Sequence, residues 1–130
     1  MMGADHAYTE VLACLDDYFD GLYRCDAALL ERVFHPEARY VGAPEGALVF
    51  RSMAEYLPIV AGRVSGEQRR EARADRVEAI EFAGPHVAMA RVRCRIGPRI
   101  FTDFLSMVKD DGRWRIAAKV FHTEIQAEGE

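Results

Sequence analysis

Apolar positions in the first third of the chain recur at intervals of three and four. Tyr8, Val11, Leu12, Leu15, Tyr18, Phe19 and Leu22 form one stripe, which predicts an amphipathic helix of about five turns. Gly21 lies near its end, and Arg24 suits a helix C-terminus, where a cation meets the partial negative charge of the free carbonyls. Asp26 is placed to cap a short second helix carrying Leu29, Leu30 and Val33. Pro36 stops that helix, because the residue before a proline avoids the α region. Arg39, Tyr40 and Val41 read as a short strand, Gly42-Ala43-Pro44-Glu45-Gly46 as a turn, and Ala47 to Arg51 as the returning strand. Ser52 and Glu55 have the spacing of a capping box. They open a third helix that buries Met53, Tyr56, Leu57 and Val60, with Pro58 set to kink it or close it early.

From Arg73 the period shortens to that of strands. The expected strands run from Arg73 to Phe82, His86 to Ile96, Arg99 to Lys109 and Arg113 to Glu124. Their turns fall at Ala83-Gly84-Pro85, Gly97-Pro98 and Asp110-Asp111-Gly112. Helices followed by a meander predict an α+β fold, with a helical layer over one face of a curved antiparallel sheet. No repeat or linker interrupts the pattern, so residues 1–130 read as one domain.

The last hairpin has a testable register. With Asp111-Gly112 as a two-residue turn, Asp110 pairs with Arg113, Met107 with Ile116, Leu105 with Ala118 and Phe101 with His122. Side chains alternate between faces along a strand. One face then carries Phe101, Asp103, Leu105 and Met107 beside Trp114, Ile116, Ala118, Val120 and His122. The other carries Thr102, Phe104, Ser106 and Val108 beside Arg115, Ala117, Lys119 and Phe121. The first is more apolar and is assigned to the interior, around an apolar pocket. Asp103 and His122 are its polar members, diagonal neighbours about 7–8 Å apart. A buried carboxylate must be paired, hydrogen-bonded or protonated, so an Asp103–His122 pair is the leading candidate for acid–base chemistry or for anchoring a ligand. The same pair could equally do no more than satisfy itself at the end of the sheet.

Composition narrows the function classes. Half the residues are hydrophobic, enough for a core at a length of 130 residues. The 17 basic and 21 acidic residues give a formal charge of -4, and the run Arg69, Arg70, Arg73, Arg76 is broken by Glu71 and Asp75, which argues against nucleic acid. Cys14, Cys25 and Cys94 are widely spaced, with no C-x-x-C. Cys94 shares a strand face with Ala88, Ala90 and Val92 and reads as packing. The opening residues lack the basic and apolar regions of a signal peptide, and no run is long enough for a membrane span. A reduced cytoplasmic protein with no cofactor is expected.

His35, at a helix-to-strand junction, could serve as a general base, but backbone capping is the preferred reading. His35, His122 and Asp103 could in principle offer two imidazoles and a carboxylate to a metal, but no local ligand spacing supports it. The candidate ligand contacts are Tyr18, His35, Tyr40, Tyr56, Phe101 and Trp114, of which the tyrosines are first of all core residues with a polar tip.

The phrases Val33-Phe34-His35-Pro36-Glu37-Ala38, Phe101-Thr102-Asp103-Phe104-Leu105-Ser106, Asp111-Gly112-Arg113-Trp114-Arg115-Ile116 and Lys119-Val120-Phe121-His122 stand in an order that resembles the nuclear transport factor 2-like superfamily, in its SnoaL-like, lumazine-binding branch. That resemblance implies a cystatin-like α+β barrel, a cone-shaped curved antiparallel sheet with three N-terminal helices over its concave face. It also implies a homodimer through the sheet exterior, where Val87, Met89, Arg91, Arg93 and Arg95 share a face. Against ketosteroid isomerases of the superfamily, Asp103 and Tyr18 fall where an oxyanion hole would stand. Tyr40-Val41-Gly42-Ala43-Pro44 has no carboxylate where the base should be. Three readings follow: a binder of a hydrophobic or aromatic ligand of unknown identity, an isomerase, dehydratase or cyclase using Asp103 and His122, or a dimeric interaction module with a filled cone.

Overall fold

Local chemistry starts each helix where the pattern puts it. The computed structural model describes residues 4–126; Met1, Met2 and Gly3, part of the segment read as lacking a leader, lie outside them. Helix α1 spans Ala4–Arg24 and buries Val11, Leu15, Tyr18, Phe19 and Leu22, while Tyr8, expected on the same stripe, is exposed. Helix α2 spans Ala27–Val33, and the Asp26 carboxylate accepts the Leu29 amide at 3.1 Å as its cap. Helix α3 spans Met53–Ala61 behind a full capping box: Ser52 Oγ accepts from the Glu55 amide at 3.2 Å, and Glu55 Oε1 accepts from the Ser52 amide at 2.9 Å. Pro58 faces solvent, and the helix runs on three residues past it.

The strands are β1 (Phe34–Gly42), β2 (Val49–Ser52), β3 (Asp75–Phe82), β4 (Val87–Ile96), β5 (Arg99–Asp110) and β6 (Arg113–Ile125). They form one open six-stranded sheet in the order β2-β1-β6-β5-β4-β3. The sheet is not wholly antiparallel, because β1 runs parallel to β6. The first strand is also longer than expected. Pro36 lies inside it, within the irregularity between Phe34 and Arg39, where its missing N–H leaves no ladder bond unmade. Strand β3 begins two residues late, and just ahead of it the Arg73 side chain bridges the carboxylates of Asp20 and Asp75.

The three helices cover the concave face. Leu15, Leu30, Leu105, Met107 and Ile116 are fully buried, each worth about 1.5–3 kcal/mol of transfer free energy. On β4 the small residues Ala88, Ala90, Val92 and Cys94 all face in. Burial pushes the Cys94 thiol up to about 12, with the Asp103 charge adding to it, which disfavours the thiolate.

The final hairpin departs from the expected register. The turn is right: Asp111 and Gly112 have φ of 53° and 75°, and Asp110 pairs with Arg113 and Met107 with Ile116. Beyond that point Ser106 pairs with Ala118, so Ala117 is an extra residue in β6. This β-bulge shifts the alternation by one. Lys119 and Phe121 turn inward, whereas Val120 and His122 turn out. The expected interior placement of Ala118, Val120 and His122 is therefore overturned, as is the exterior placement of Lys119 and Phe121.

Candidate functional site

Asp103 is fully buried, as expected, but its neighbours are not. Its cross-strand partner is Phe121, and His122 stands outside the sheet opposite Thr102. The Asp103–His122 pair does not form. Tyr18 on α1 instead donates its hydroxyl hydrogen to Asp103 Oδ2 at 2.6 Å, and Lys119 Nζ lies 3.9 Å from the same oxygen. Lys119 is 3 % exposed. Burial alone would lower the affinity of its amine for a proton, but the Asp103 charge and the surrounding phenols outweigh it and raise the pKa above the ordinary value. Burial, with Asp103 next, likewise drives the Tyr18 phenol well above its normal range.

The ammonium is wrapped in rings. Its nitrogen lies 5.2 Å from the Tyr18 centroid, 5.3 Å from Tyr40, and 5.8 Å from each of Tyr56, Phe101 and Phe121. Those rings also pack on one another: Tyr40 stacks on Tyr56 at 4.3 Å and tilts against Phe121 at 4.6 Å, and Phe121 meets Phe101 at 6.0 Å. Close packing here depends on Gly42, whose missing side chain leaves room for the Phe121 ring; a Cβ would sit 2.6 Å from it.

On the far side of this aromatic layer lies a cavity of about 770 Å³. Tyr40, Tyr56, Phe101 and Phe121 line it, and neither Lys119, Asp103 nor Tyr18 does. Its rim is basic, with Arg51 from β2, Arg63 after α3, Arg69 and Arg99 at the start of β5, against the single carboxylate of Glu45. A smaller recess of about 230 Å³ adjoins it past Arg63, Arg69 and Ile96, and reaches Cys25 and Cys94. The segment between α3 and β3 that walls this recess is pinned at Glu71. Its backbone oxygen accepts from the Tyr23 hydroxyl at 2.6 Å, its Oε1 accepts from the Gly97 amide at 2.7 Å, and its Oε2 pairs with Arg69 at 2.9 Å.

The expected site residues thus separate. Tyr40, Tyr56 and Phe101 line the cavity, and Tyr18 lies beneath its floor. Trp114 is buried near Cys14, whose thiol lies 3.7 Å from the Trp114 carbonyl oxygen, and its ring stands edge-on to Phe82. His35 Nδ1 accepts the Glu37 amide at 3.0 Å, the backbone-capping role, beside a separate cleft with Met53 and Pro58. Among the described residues no group of three His, Cys, Asp or Glu side chains is placed to hold a metal. Lys119, Phe121 and the rim arginines were missed. An interior aspartate calls for a full-time cation, and Lys119 on the paired strand was the one signal that pointed to it.

Residues 6–122 match the family model described as "Putative lumazine-binding". The chain belongs to that family. It is 25% identical over 118 residues to a protein named Aldolase FrzH from Cladobotryum sp, covering 89% of this chain and 90% of that one. An NTF-2 like protein of unknown function from Silicibacter pomeroyi superposes with a TM-score of 0.85 at 25% identity, over 95% of this chain and all of its own. A ketosteroid isomerase-like protein from Erwinia carotovora atroseptica shares the fold with a TM-score of 0.69 at 12% identity, over 88% of this chain and 94% of its own. The family member is thus an α+β NTF2-like domain with three helices on an open curved sheet, as the sequence resemblance implied. No helix among the described residues is long and apolar enough to cross a membrane.

Proposed function

We propose that the protein binds a small planar, largely apolar molecule in the 770 Å³ cavity, stacked on the floor formed by Tyr40, Tyr56, Phe101 and Phe121. The observation that carries this reading is the floor itself: four rings packed in series, Tyr56 on Tyr40, Tyr40 on Phe121 and Phe121 on Phe101, beneath a volume in the range of small-molecule sites. Aromatic faces favour offset stacking with other π systems. Membership in a family described by the name of a flat heterocycle agrees with it.

Tyr18, Asp103 and Lys119 are assigned to holding that floor rather than to acid–base work. An oxyanion hole of the ketosteroid isomerase kind needs a protonated aspartate as donor, whereas here Asp103 accepts from Tyr18 and faces an ammonium. A lysine that attacks a carbonyl must shed its proton and reach the substrate; Lys119 is 3 % exposed and held as the ammonium. The aldolase name belongs to the relative.

Native mass spectrometry of freshly purified protein, beside its denatured mass, is the first test, followed by calorimetric titration with flat bicyclic probes. A dissociable adduct or saturable binding, abolished by Phe101→Asp, is expected. No adduct, together with no binding by any probe at millimolar concentration, removes the reading.

The sheet exterior supports a second proposal, a homodimer. Arg91, Phe104, Val120, Val41 and Phe50 lie in one row across five strands, through the pairs Arg91–Phe104, Phe104–Val120, Val41–Val120 and Val41–Phe50. Phe104, Val120 and Phe50 are 53 %, 46 % and 59 % exposed, an apolar strip of the kind a two-fold partner covers.

A further inference from the structure

Resting on the cavity reading above, we infer that the occupant is an organic acid, an aromatic ring bearing a carboxylate, with its charged end held at the rim by Arg51, Arg63 and Arg99. The molecule carries a formal charge of -4, so a cation is what its overall field favours. At this mouth the sign reverses. Four guanidinium groups line the cavity against one carboxylate, and only Arg69 has a carboxylate partner, Glu71. Arg51, Arg63 and Arg99 make no ion pair among the described residues. They arrive from separate places in the fold, β2, the segment after α3 and the start of β5, which a single solvated strand or helix face would not do.

A second observation lies beside these arginines: Tyr40 is the cross-strand partner of Arg51, and the Arg63 charge acts on the Tyr56 phenol. Tyr40 is 8 % exposed and Tyr56 1 %, both line the cavity, and neither hydroxyl has a hydrogen-bond partner among the described residues. A phenol hydroxyl with no protein acceptor is free to donate to a ligand. Burial raises the Tyr56 pKa, so that hydroxyl keeps its proton at neutral pH. The cavity therefore presents guanidinium and phenol donors next to ring faces. A planar aromatic acid satisfies both: the ring stacks, and the carboxylate accepts from the guanidiniums, whose planar forks match it, with the phenol donors beside them.

The test compares 2-naphthoate with 2-naphthamide, which share a ring and differ in charge, by calorimetric titration. Naphthoate is expected to bind about tenfold more tightly at low salt, with the advantage shrinking between 0.05 and 0.5 M NaCl as the rim is screened. Arg51→Gln/Arg99→Gln is expected to bring naphthoate down to the amide and to leave the amide unchanged. Neither arginine makes an ion pair among the described residues, so the variant should keep a melting temperature close to that of the wild type. Equal binding of the two probes, or a preference that survives the double substitution, overturns the acid assignment and leaves the cavity reading standing. Binding of neither removes the cavity reading, and this inference with it.

Discussion

Lys119→Met removes one charge from a buried pair and keeps most of the side chain's bulk. Lys119 is 3 % exposed and Asp103 fully buried, with Nζ and Oδ2 3.9 Å apart. Without the ammonium, the Asp103 charge retains one hydrogen bond, from Tyr18, while Oδ1 has none among the described residues. Breaking a buried pair from one side costs about 3–5 kcal/mol. A chain of 130 residues unfolds with an entropy of roughly 0.27 kcal/mol/K, so the loss lowers Tm by roughly 11–18 °C. Asp103→Asn should cost a similar amount, because it strands the ammonium among the rings. The double variant strands neither charge and should lie within about 2 kcal/mol of the parent. Urea denaturation of all four proteins at pH 7, followed by circular dichroism, measures the coupling. The reasoning fails if Lys119→Met stays within about 1 kcal/mol of the parent, or if the double variant loses the sum of the single losses. Poor solubility of the single variants leaves recovery in the double as the deciding result.

Stability should be independent of the Lys119 and Tyr18 protons up to about pH 10 and fall beyond it. Both pKa values are raised on folding from ordinary values of 10.5 and 10.0, so above these the native state holds more protons than the unfolded state and loses stability as pH rises; denaturation midpoints from pH 8 to 12 check this, with a shallower slope expected in Tyr18→Phe. Gly42→Ala places a methyl 2.6 Å from the Phe121 ring; it should cost about 1–3 kcal/mol and weaken binding of any cavity probe, because the ring that moves belongs to the floor. Phe104→Glu/Val120→Glu should turn a dimer into a monomer in sedimentation velocity without lowering Tm below that of the isolated subunit; an unchanged sedimentation coefficient removes the sheet exterior as the interface.

What the sequence determined by itself was whatever depends on a few neighbouring residues. Asp26 and Ser52 start α2 and α3 because a cap needs only the amides three residues on. Asp111-Gly112 sets its hairpin because both residues accept positive φ. The inward face of β4 and the burial of Asp103 follow from unbroken alternation. The same alternation failed on β6 after Ala117, for a reason the chain does not carry locally. Without the bulge the interior receives Ala118, Val120 and His122; with it, Lys119, Phe121 and Thr123. Each set holds apolar and polar members, so periodicity cannot choose between them. Tertiary packing chooses. Phe121 buries more surface than Val120 against Tyr40 and the gap at Gly42, and Asp103 gains a lysine ammonium in place of an imidazole. The parallel pairing of β1 with β6 and the gathering of Arg51, Arg63 and Arg99 at one mouth were likewise decided only in three dimensions, since they join residues that no local spacing relates.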